Sequence, residues 1–324
     1  MHKAVYFFCM DGNIDSVAPK VFNFLNVNYD LSETALIIDE FSVLEYNQND
    51  DCFQFVRLND VLSHNYSKYL PLLNKHFADF DVAGVVNWHE GSNAPDKILA
   101  VHSTGDVASG YFGKSNPGHY KNLICSLERN RIKNQLNDFR VMTEATHWSG
   151  IPHNQSPDLI TQYKVPVYDI EIGSTQESWS NETAIKTLSE SLFQVFDDDS
   201  EVKALLCVGG VHFEEAYLSV MLDRENKIAV GHILANQWVV NNYADEDGLG
   251  KLNNCVESII GGICGIIFHD NLKGEYKDLC RELAKRSGIF VGKHKILKSP
   301  DFNIQLKATL HFLHSSIVFK GCIE

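Results

Sequence analysis

The sequence predicts an α/β fold, a layered sandwich built on a largely parallel or mixed sheet. Short runs rich in β-branched and aromatic residues alternate along the chain with segments of helical periodicity. Several of the runs are apolar almost throughout, as strands covered on both faces are. We expect a single catalytic domain over residues 1–300 and a C-terminal element over 301–324 that packs on it.

The apolar runs place ten strands along the chain. AVYFFCM is the first of them, and VKALLCVGG follows in the second half of the chain. Two stretches rich in Gly, Asn and Asp, 105–118 and 241–251, are interpreted as loops. The predicted strands span 4–10, 35–39, 52–58, 82–88, 98–104, 139–145, 165–173, 202–210, 227–235 and 288–296.

Three helices are predicted from apolar residues that recur at helical spacing. Ser180 or Asn181 can cap the start of the second helix. Gly288 follows the third helix in the position of a C-cap residue. The three segments are 63–80, 181–196 and 272–287.

The composition disfavours several classes of protein. A net charge of −14 disfavours a protein that coats nucleic acid. No apolar run reaches the roughly 18 residues of a membrane span, and the first residues lack the pattern of a signal peptide. The eight cysteines form no CxxC pair, so we expect reduced core thiols. A secreted protein, a membrane protein and a zinc-ribbon module are therefore disfavoured, and we expect a cytoplasmic protein.

The basic residues are concentrated near the end of the chain. Residues 271–298 carry eight Lys or Arg against three acids, a net charge of +5, which leaves −19 for the remainder. On the predicted helix, Lys273, Lys277 and Arg281 recur every four residues and form one stripe. This basic stripe can meet an anionic partner. The alternative is a solvated helix face whose charges only aid solubility.

The standard motifs of several enzyme classes are absent. The sequence contains no Walker A motif, no GxGxxG after the first strand and no GxSxG elbow. His212-Phe213-Glu214 matches the HxE part of the zinc deaminase signature, but the PCxxC part is missing. These classes are therefore not expected.

Polar residues concentrate at the carboxyl ends of four predicted strands. Ligands of open α/β sheets bind in the crevice beyond those ends. We therefore expect His102, His147 and His212 to converge on one pocket. The four segments are 101–106, 143–147, 171–175 and 208–212.

The last of these segments has the most specific chemistry. Gly209 and Gly210 let backbone N–H groups approach a ligand closely, and the N-terminus of the helix predicted behind them favours an anion. His212, in the first turn of that helix, would be kept neutral by the helix dipole and able to act as a base. The alternative is a tight strand–helix turn with a satisfied histidine.

The other segments allow a functional and a structural interpretation. If the strand continues, Glu144 and Thr146 share one face and His147 the other; if the chain turns, all three line a pocket. Glu171 lies in an otherwise apolar strand, and a buried carboxylate needs a partner such as His or Lys. The alternatives are a surface strand end and an exposed edge strand. Taken singly, His89 and His102 are interpreted as core histidines.

Read together, the segments resemble the ordered motifs of the archaeal and plant type of D-aminoacyl-tRNA deacylase. The most specific strings are TEATH at 143–147 and EIGST at 171–175, followed by Trp179 and by GGVH at 209–212. The resemblance covers roughly residues 1–298. Trp148 stands where the family usually has a second histidine, and Phe213 replaces a tyrosine. Further matching segments are 87–89, 101–106, 231–233 and 272–274.

The resemblance implies hydrolysis of the ester between a D-amino acid and the 3′ end of tRNA. It implies a fold similar to that of peptidyl-tRNA hydrolases and nucleoside phosphorylases, and it implies zinc, with His102, His147 and His212 as candidate ligands. D-aminoacyl-tRNA is the implied partner; no protein partner is implied, and we expect a monomer. The basic stripe would then hold tRNA phosphates. The implied catalytic residues are His102, His147, Glu171 and His212, and the implied substrate-binding residues are His89, Glu144, Thr146, Ser174, Thr175, Gly209 and Gly210.

Two other functions remain compatible with the sequence. One is a relative of peptidyl-tRNA hydrolases or nucleoside phosphorylases that acts on another anionic substrate, and a phosphorylase would depend on inorganic phosphate. The other is a non-catalytic tRNA-binding protein that retains the fold, which would bind tRNA without turnover.

Overall fold

The first strand lies inside a large mixed sheet. This position explains why its sequence is apolar after Lys3. The computed structural model describes residues 1–91, 94–244, 247–299 and 302. In it, β1 (Lys3–Cys9) pairs on both sides with parallel strands. Alternate side chains of a strand point to opposite faces, and here both faces are covered. Tyr6 and Phe8 enter the main core on one face, and Val5 and Phe7 enter a second core on the other.

The large sheet contains eight strands of mixed direction. Its order is β2-β3-β4-β1-β5-β10-β6-β9. The pairs β2/β3, β3/β4 and β6/β10 are antiparallel, and the other four pairs are parallel. The strands are β2 (Ser32–Ile38), β3 (Phe41–Gln48), β4 (Asp51–Leu58), β5 (Val82–His89), β6 (Lys97–Ser103), β9 (Arg140–Thr143) and β10 (Val167–Ser174).

Helices cover both faces of the large sheet. Residues of α1 (Ala18–Asn28), α3 (Pro117–Lys133) and α5 (Glu182–Leu192) pack in the main core. Residues of α2 (Tyr66–His76) pack in the second core. A hairpin of β7 (Gly105–Asp106) and β8 (Tyr111–Phe112) precedes α3, and the short α4 (Gln176–Trp179) follows β10.

A second sheet of four parallel strands packs beside the first. Its order is β12-β11-β13-β14, formed by β11 (Lys203–Val208), β12 (Ile228–Leu234), β13 (Gly265–Phe268) and β14 (Phe290–Lys293). Leu205 and Cys207 point into the main core, toward α3 and α6 (Glu215–Leu222). Leu206 and Val208 point into a third core, with α7 (Asn236–Asn242), α8 (Gly248–Ser258) and α9 (Gly274–Ser287).

The predicted fold class is confirmed, and each of the ten predicted strands overlaps an observed strand. The predicted helices correspond to α2, α5 and α9, with Asn181 capping α5 and Gly288 in the left-handed conformation after α9. The two predicted loops are partly wrong: 105–118 contains the β7–β8 hairpin, and 241–251 contains the start of α8. β3 and β13 were not predicted, because β3 mixes polar residues into its pattern and β13 is only four residues long.

The structure tests only some of the predictions about cysteines, membrane spans and domain organisation. The seven cysteines that the structure describes are free, and six of them are buried. None of the described helices is both long and apolar enough to cross a membrane. The C-terminal element lies outside the described residues, apart from Phe302, which is buried beside Phe290. The single-domain organisation over 1–300 stays a prediction.

A buried lysine joins α3 to the second sheet. Lys121 is 6% exposed. Its Nζ donates to the carbonyl oxygens of Val220, Asn226 and Ile228 at 3.0, 3.1 and 2.6 Å, and it lies 2.8 Å from Asn226 Oδ1. These acceptors close the turn between α6 and β12. The ammonium therefore supplies the hydrogen bonds that this buried turn cannot obtain from water.

We predict that Lys121→Met lowers the free energy of unfolding by about 3 kcal/mol or more, because several buried carbonyls lose a charged donor. Urea unfolding of both proteins measures the difference. Lys133→Met on the same helix is the matched control, since the side chain of Lys133 is exposed and pairs with Glu190 at 3.3 Å. A change of about 0.5 kcal/mol or less is expected there. Equal losses in the two variants would contradict the structural role of Lys121.

Candidate functional site

The candidate site lies on one face of the large sheet. The expectation that it lies at the carboxyl ends of the strands is wrong. β6 and β9 run antiparallel to β5 and β10, so the carboxyl ends of these strands point in opposite directions. The alternation of β-strands instead places Asn87 and His89 on the same face as Asp169 and Glu171. His102 pairs in register with Asp169 on the neighbouring strand and completes the row.

The second sheet covers this face, and two backbone hydrogen bonds join it to the segment that follows β9. After β9, Ala145 N–H donates to the His212 carbonyl at 2.9 Å. Thr146 N–H donates to the Ile233 carbonyl at 2.8 Å. The site is enclosed between the two layers.

Thr104 and His147 then form a parallel bridge, so the chain continues beside β6. Glu144 and His147 reach the cluster, whereas Thr146 bonds to His232, which differs from both predicted arrangements.

Glu144 lies at the centre of the cluster and is 1% exposed. Its Oε1 is 2.6 Å from His212 Nε2, 3.3 Å from His89 Nε2 and 3.7 Å from His147 Nδ1. Burial alone would raise the pKa of the carboxyl, but the hydrogen bonds from His212 and His89 outweigh burial and hold the pKa well below its usual range. Glu144 is therefore a buried carboxylate surrounded by imidazoles.

His102 and two further carboxylates form the deepest part of the cluster. His102 Nε2 is 3.4 Å from Asp169 and 3.6 Å from Glu171, and its Nδ1 is 3.1 Å from the Ser103 carbonyl. Burial opposes the charged form, but Asp169 and Glu171 outweigh it and raise the pKa of His102 to about 10. Burial and the charge of Glu144 raise the pKa of Glu171 to about 7. The partner predicted for Glu171 is thus His102.

The predicted convergence of three histidines is confirmed. The rings of His102 and His147 stack with centroids 3.8 Å apart, and the His147 and His212 centroids are 5.3 Å apart. His147 Nδ1 lies 2.9 Å from the Ala145 carbonyl and donates to it, which leaves Nε2 as an acceptor. Burial and the charge of His102 lower the pKa of His147 to about 3. His147 is therefore neutral beside a cationic His102.

The glycine turn differs from its predicted form. Gly209 and Gly210 have φ of +87° and +86°, which only glycine adopts without strain. However, Gly209 N–H is already bound by the Leu234 carbonyl at 2.7 Å, so it does not point at a ligand. α6 begins at Glu215, with Glu214 as its N-cap, so His212 precedes the helix and does not lie in its first turn.

The remaining predicted residues are distributed over three places. Ser174 Oγ is 2.8 Å from His89 Nδ1 and orients that ring. Thr175 caps α4 by accepting from Ser178 N–H. Thr146 is fully buried in a hydrogen-bond network described below.

The basic stripe lies on α9, and its charges are partly engaged. Lys273 is exposed at the N-cap of the helix. Lys277 Nζ donates to the Asp270 carbonyl at 2.8 Å, and Arg281 pairs with Asp278 at 2.6 Å. Both cations lie over the ring of Phe268. The predicted i, i+4 alignment is therefore present, although two of its three members have partners.

Sequence reasoning missed Asp169, Asn87 and the partners of His232. Asp169 precedes Glu171 by two residues, so the alternation of the strand would have placed both carboxylates on one face. Asn87 donates to Asp169 at 3.4 Å. His232 carried no signal beyond its place in a matching segment.

His232 is the centre of a buried hydrogen-bond chain between the two layers. Ser258 Oγ donates to the Cys255 carbonyl at 2.6 Å and therefore accepts from His232 Nε2–H at 2.9 Å. His232 Nδ1 consequently accepts, with Ser103 Oγ at 2.8 Å and Thr146 Oγ1 at 3.2 Å. Thr146 Oγ1 also accepts from Ile233 N–H at 3.0 Å. This chain fixes the segment that carries Glu144 and His147.

The cluster offers two sets of metal donors, which both contain Glu144. The ligand atoms of His89, Glu144 and His212 lie within 4.8 Å of one another, and so do those of His102, Glu144 and His147. Imidazole nitrogen and carboxylate oxygen are ligands that zinc prefers. Neither of these sets contains all three histidines predicted as ligands, and Glu144 was not among the predicted ligands. In addition, Glu144 Oε2 and Glu171 Oε2 are buried without a hydrogen-bond partner among the described residues.

Imidazoles and carboxylates enclosed between two α/β layers are typical of an enzyme that uses acid–base or metal-assisted chemistry. The family model of D-aminoacyl-tRNA deacylases matches residues 76–292. The chain therefore belongs to the D-aminoacyl-tRNA deacylase family.

Named relatives agree with this assignment, and a solved structure shares the fold. The D-aminoacyl-tRNA deacylase of Pyrococcus horikoshii is 25% identical over 86% of this chain and 97% of its own length. That of Pyrococcus abyssi is 24% identical over the same shares. A crystal structure of a conserved protein of unknown function superposes with a TM-score of 0.70 at 20% identity, covering 92% of this chain and 96% of its own. That similarity supports the fold alone.

We predict that His232→Leu reduces the pH dependence of stability. Burial lowers the pKa of His232 from its usual value of 6.5 to about 3. Between these values the unfolded chain binds a proton that the folded chain does not, so stability falls as the pH falls through this window. In the variant, the slope of the unfolding free energy against pH should be smaller by the equivalent of about one bound proton. Urea unfolding at several pH values measures this slope.

The matched control for this prediction is Ser258→Ala, which removes a partner of the ring but keeps the imidazole. This variant should be less stable than the parent by about 1–3 kcal/mol, because the buried Nε2–H loses its acceptor. It should nevertheless retain the pH slope. A parent slope that survives in His232→Leu would show that His232 is not the titrating group.

Proposed function

We propose that the chain hydrolyses the ester that joins a D-amino acid to the 3′ end of tRNA. One observation carries the proposal. In this chain, which belongs to the D-aminoacyl-tRNA deacylase family, the buried carboxylate of Glu144 is hydrogen-bonded to the partly exposed imidazole of His212. This is the pairing that general-base hydrolysis requires. The comparisons do not favour the phosphorylase or the non-catalytic alternative.

His212 is the proposed base. If its Nε2–H donates to Glu144, its Nδ1 is free to take a proton from water, and Glu144 stabilises the imidazolium that forms. The side chain is 31% exposed, so water and substrate reach it. An aminoacyl ester is an activated substrate, so positioning a water and removing its proton are the main tasks of the protein.

The deeper residues supply charge beneath the reacting ester. Asp169 and Glu171 hold His102, and the positive charge on this ring favours the negative charge that develops on the ester oxygen. His147 lies on His102 and carries its acceptor Nε2 outside the hydrogen bond to Ala145. We assign His147 to contact with the substrate.

We predict that the protein releases D-tyrosine from D-tyrosyl-tRNA and spares L-tyrosyl-tRNA. His212→Gln should lower kcat/KM for the D-substrate by about 100- to 10,000-fold, the usual contribution of a general base. Release of labelled amino acid measures both. His76→Gln on α2, outside the cluster, is the control and should match the parent. Equal hydrolysis of the D- and L-substrates would refute chiral editing.

We also propose that the cluster holds zinc, through His102, Glu144 and His147. A histidine binds zinc only as a neutral ring, so zinc binding would release a proton from His102 and the metal would replace the positive charge of this ring. In that state Nε2 of His147 would hold the metal.

Three buried carboxyl groups, those of Glu144, Asp169 and Glu171, lie close together, so a divalent cation would stabilise their charged forms. The unpartnered Oε2 of Glu144 is available to a cation, while Oε1 remains bound to His212. Zinc bound there would polarise the ester carbonyl and lower the pKa of a bound water.

We predict that the purified protein contains zinc and that His147→Ala reduces the zinc content. His212→Ala is the matched variant: it should keep the zinc and lose activity, because His212 is assigned to proton transfer and not to the metal. Elemental analysis measures zinc independently of activity. Full zinc in His147→Ala together with its loss in His212→Ala would instead assign the metal to His89, Glu144 and His212.

We further propose that the basic stripe of α9 binds tRNA phosphates. Neutralising Lys273, Lys277 and Arg281 to glutamine should weaken tRNA binding and flatten its salt dependence, because fewer counterions are released per complex. The preference for D-amino acids should survive, since phosphate contacts only position the substrate. Lys133→Gln with Lys186→Gln, on other helices, is the control. An unchanged affinity and salt slope in the triple variant would place the docking surface elsewhere.

A further inference from the structure

A partly buried tryptophan stands beside the imidazole cluster. Trp238 on α7 has its ring centroid 5.6 Å from that of His212 and 6.1 Å from that of His147. The rings of Trp238 and His147 are within 25° of parallel. None of the reaction steps proposed above uses this indole.

Core packing and a hydrogen bond to its carbonyl oxygen hold Trp238 in place. Trp238 packs against both the main and the third core, and its carbonyl accepts from Asn242 at 2.8 Å. Tyr276 of α9 donates to the Val240 carbonyl at 2.8 Å and so joins α9 to α7. Trp238 and the basic stripe are therefore carried by the same layer of the molecule.

A second aromatic residue borders the cluster on the side of the large sheet. Phe213 has its ring centroid 5.0 Å from His212 and 5.3 Å from His89. It packs against Ile98, Ala100 and Met142 of the large sheet. The proposed base thus has Trp238 on one side and, on the other, Phe213, which packs on the large sheet.

The proposed substrate has two parts that meet at the ester: the amino acid on one side, and the ribose with its adenine base on the other. The base lies within one nucleoside of the reacting bond, so an enzyme that positions this ester has the base close to its catalytic groups. Proteins that hold unpaired bases commonly stack them on aromatic side chains.

We propose that Trp238 is the stacking platform for the 3′-terminal adenine of tRNA. This rests on the proposed function. Trp238 and not Phe213 is assigned to the base because α7 is joined to α9, which carries the basic stripe, whereas Phe213 packs on the large sheet. The phosphates of the acceptor end would approach from the basic stripe. The amino acid then lies toward Phe213 and the large sheet.

The first test measures binding of adenosine 5′-monophosphate by calorimetry, with ribose 5-phosphate as the probe without a base. The parent should bind the nucleotide more tightly than the sugar phosphate. Trp238→Ala should lower the affinity for the nucleotide by about 5- to 150-fold, as expected for the loss of one stacked base. Trp238→Phe should retain part of the affinity and shows whether loss in the alanine variant reflects stacking or misfolding.

The second test measures kcat/KM for D-tyrosyl-tRNA in the same proteins. A loss in Trp238→Ala that Trp238→Phe partly restores supports the proposal. The inference is overturned if the parent does not bind the nucleotide at millimolar concentrations, or if Trp238→Ala matches the parent in both measurements. Stacking on Trp238 in a parent that does not hydrolyse D-tyrosyl-tRNA would refute the proposed function and retain a nucleotide site.

Discussion

The burial of Glu144 is the constraint on which the organisation of the site depends. A carboxylate removed from water is stable only if it is paired, and here the pairing requires His212 from the second layer and His89 from the first. Neither layer alone supplies the set. The two backbone hydrogen bonds from 145 and 146 to the second layer are therefore part of the chemistry of the cluster, because they bring Glu144 to its partners.

Strand β10 shows how one element builds both core and site. Tyr168, Ile170 and Ile172 point into the main core, while Asp169 and Glu171 point into the cluster from the opposite face. The closeness of the packing extends to the next residue of the cluster face: a side chain at Gly173 would meet His89 Cβ at 2.6 Å. The polar residues of the strand are thus held by an apolar face that is fully covered, which keeps the carboxylates from relaxing toward solvent.

Much of the fold was predictable because apolar strands leave a strong local signal. Strand direction was not, and the expectation of a shared strand edge failed for that reason: β6 and β9 run opposite to β10, which no local pattern reveals. The convergence of His102, His147 and His212 was nevertheless predicted from their motifs. The engagement of Gly209 N–H by Leu234 depends on the pairing of β11 with β12 and could not be seen along the chain.

The position of His232 explains why the geometry of the cluster depends on the packing of α8, outside the cluster. Its neutral ring connects Ser258 of α8 with Ser103 and Thr146: Nε2–H donates to Ser258, and Nδ1 accepts from a hydroxyl on the other side. Because all four residues are buried, a change at one member leaves another unsatisfied. The segment that carries Glu144 and His147 is therefore fixed by α8 as firmly as by the strand it leaves. The site is a property of the contact between the two sheets, and its geometry follows from how they pack.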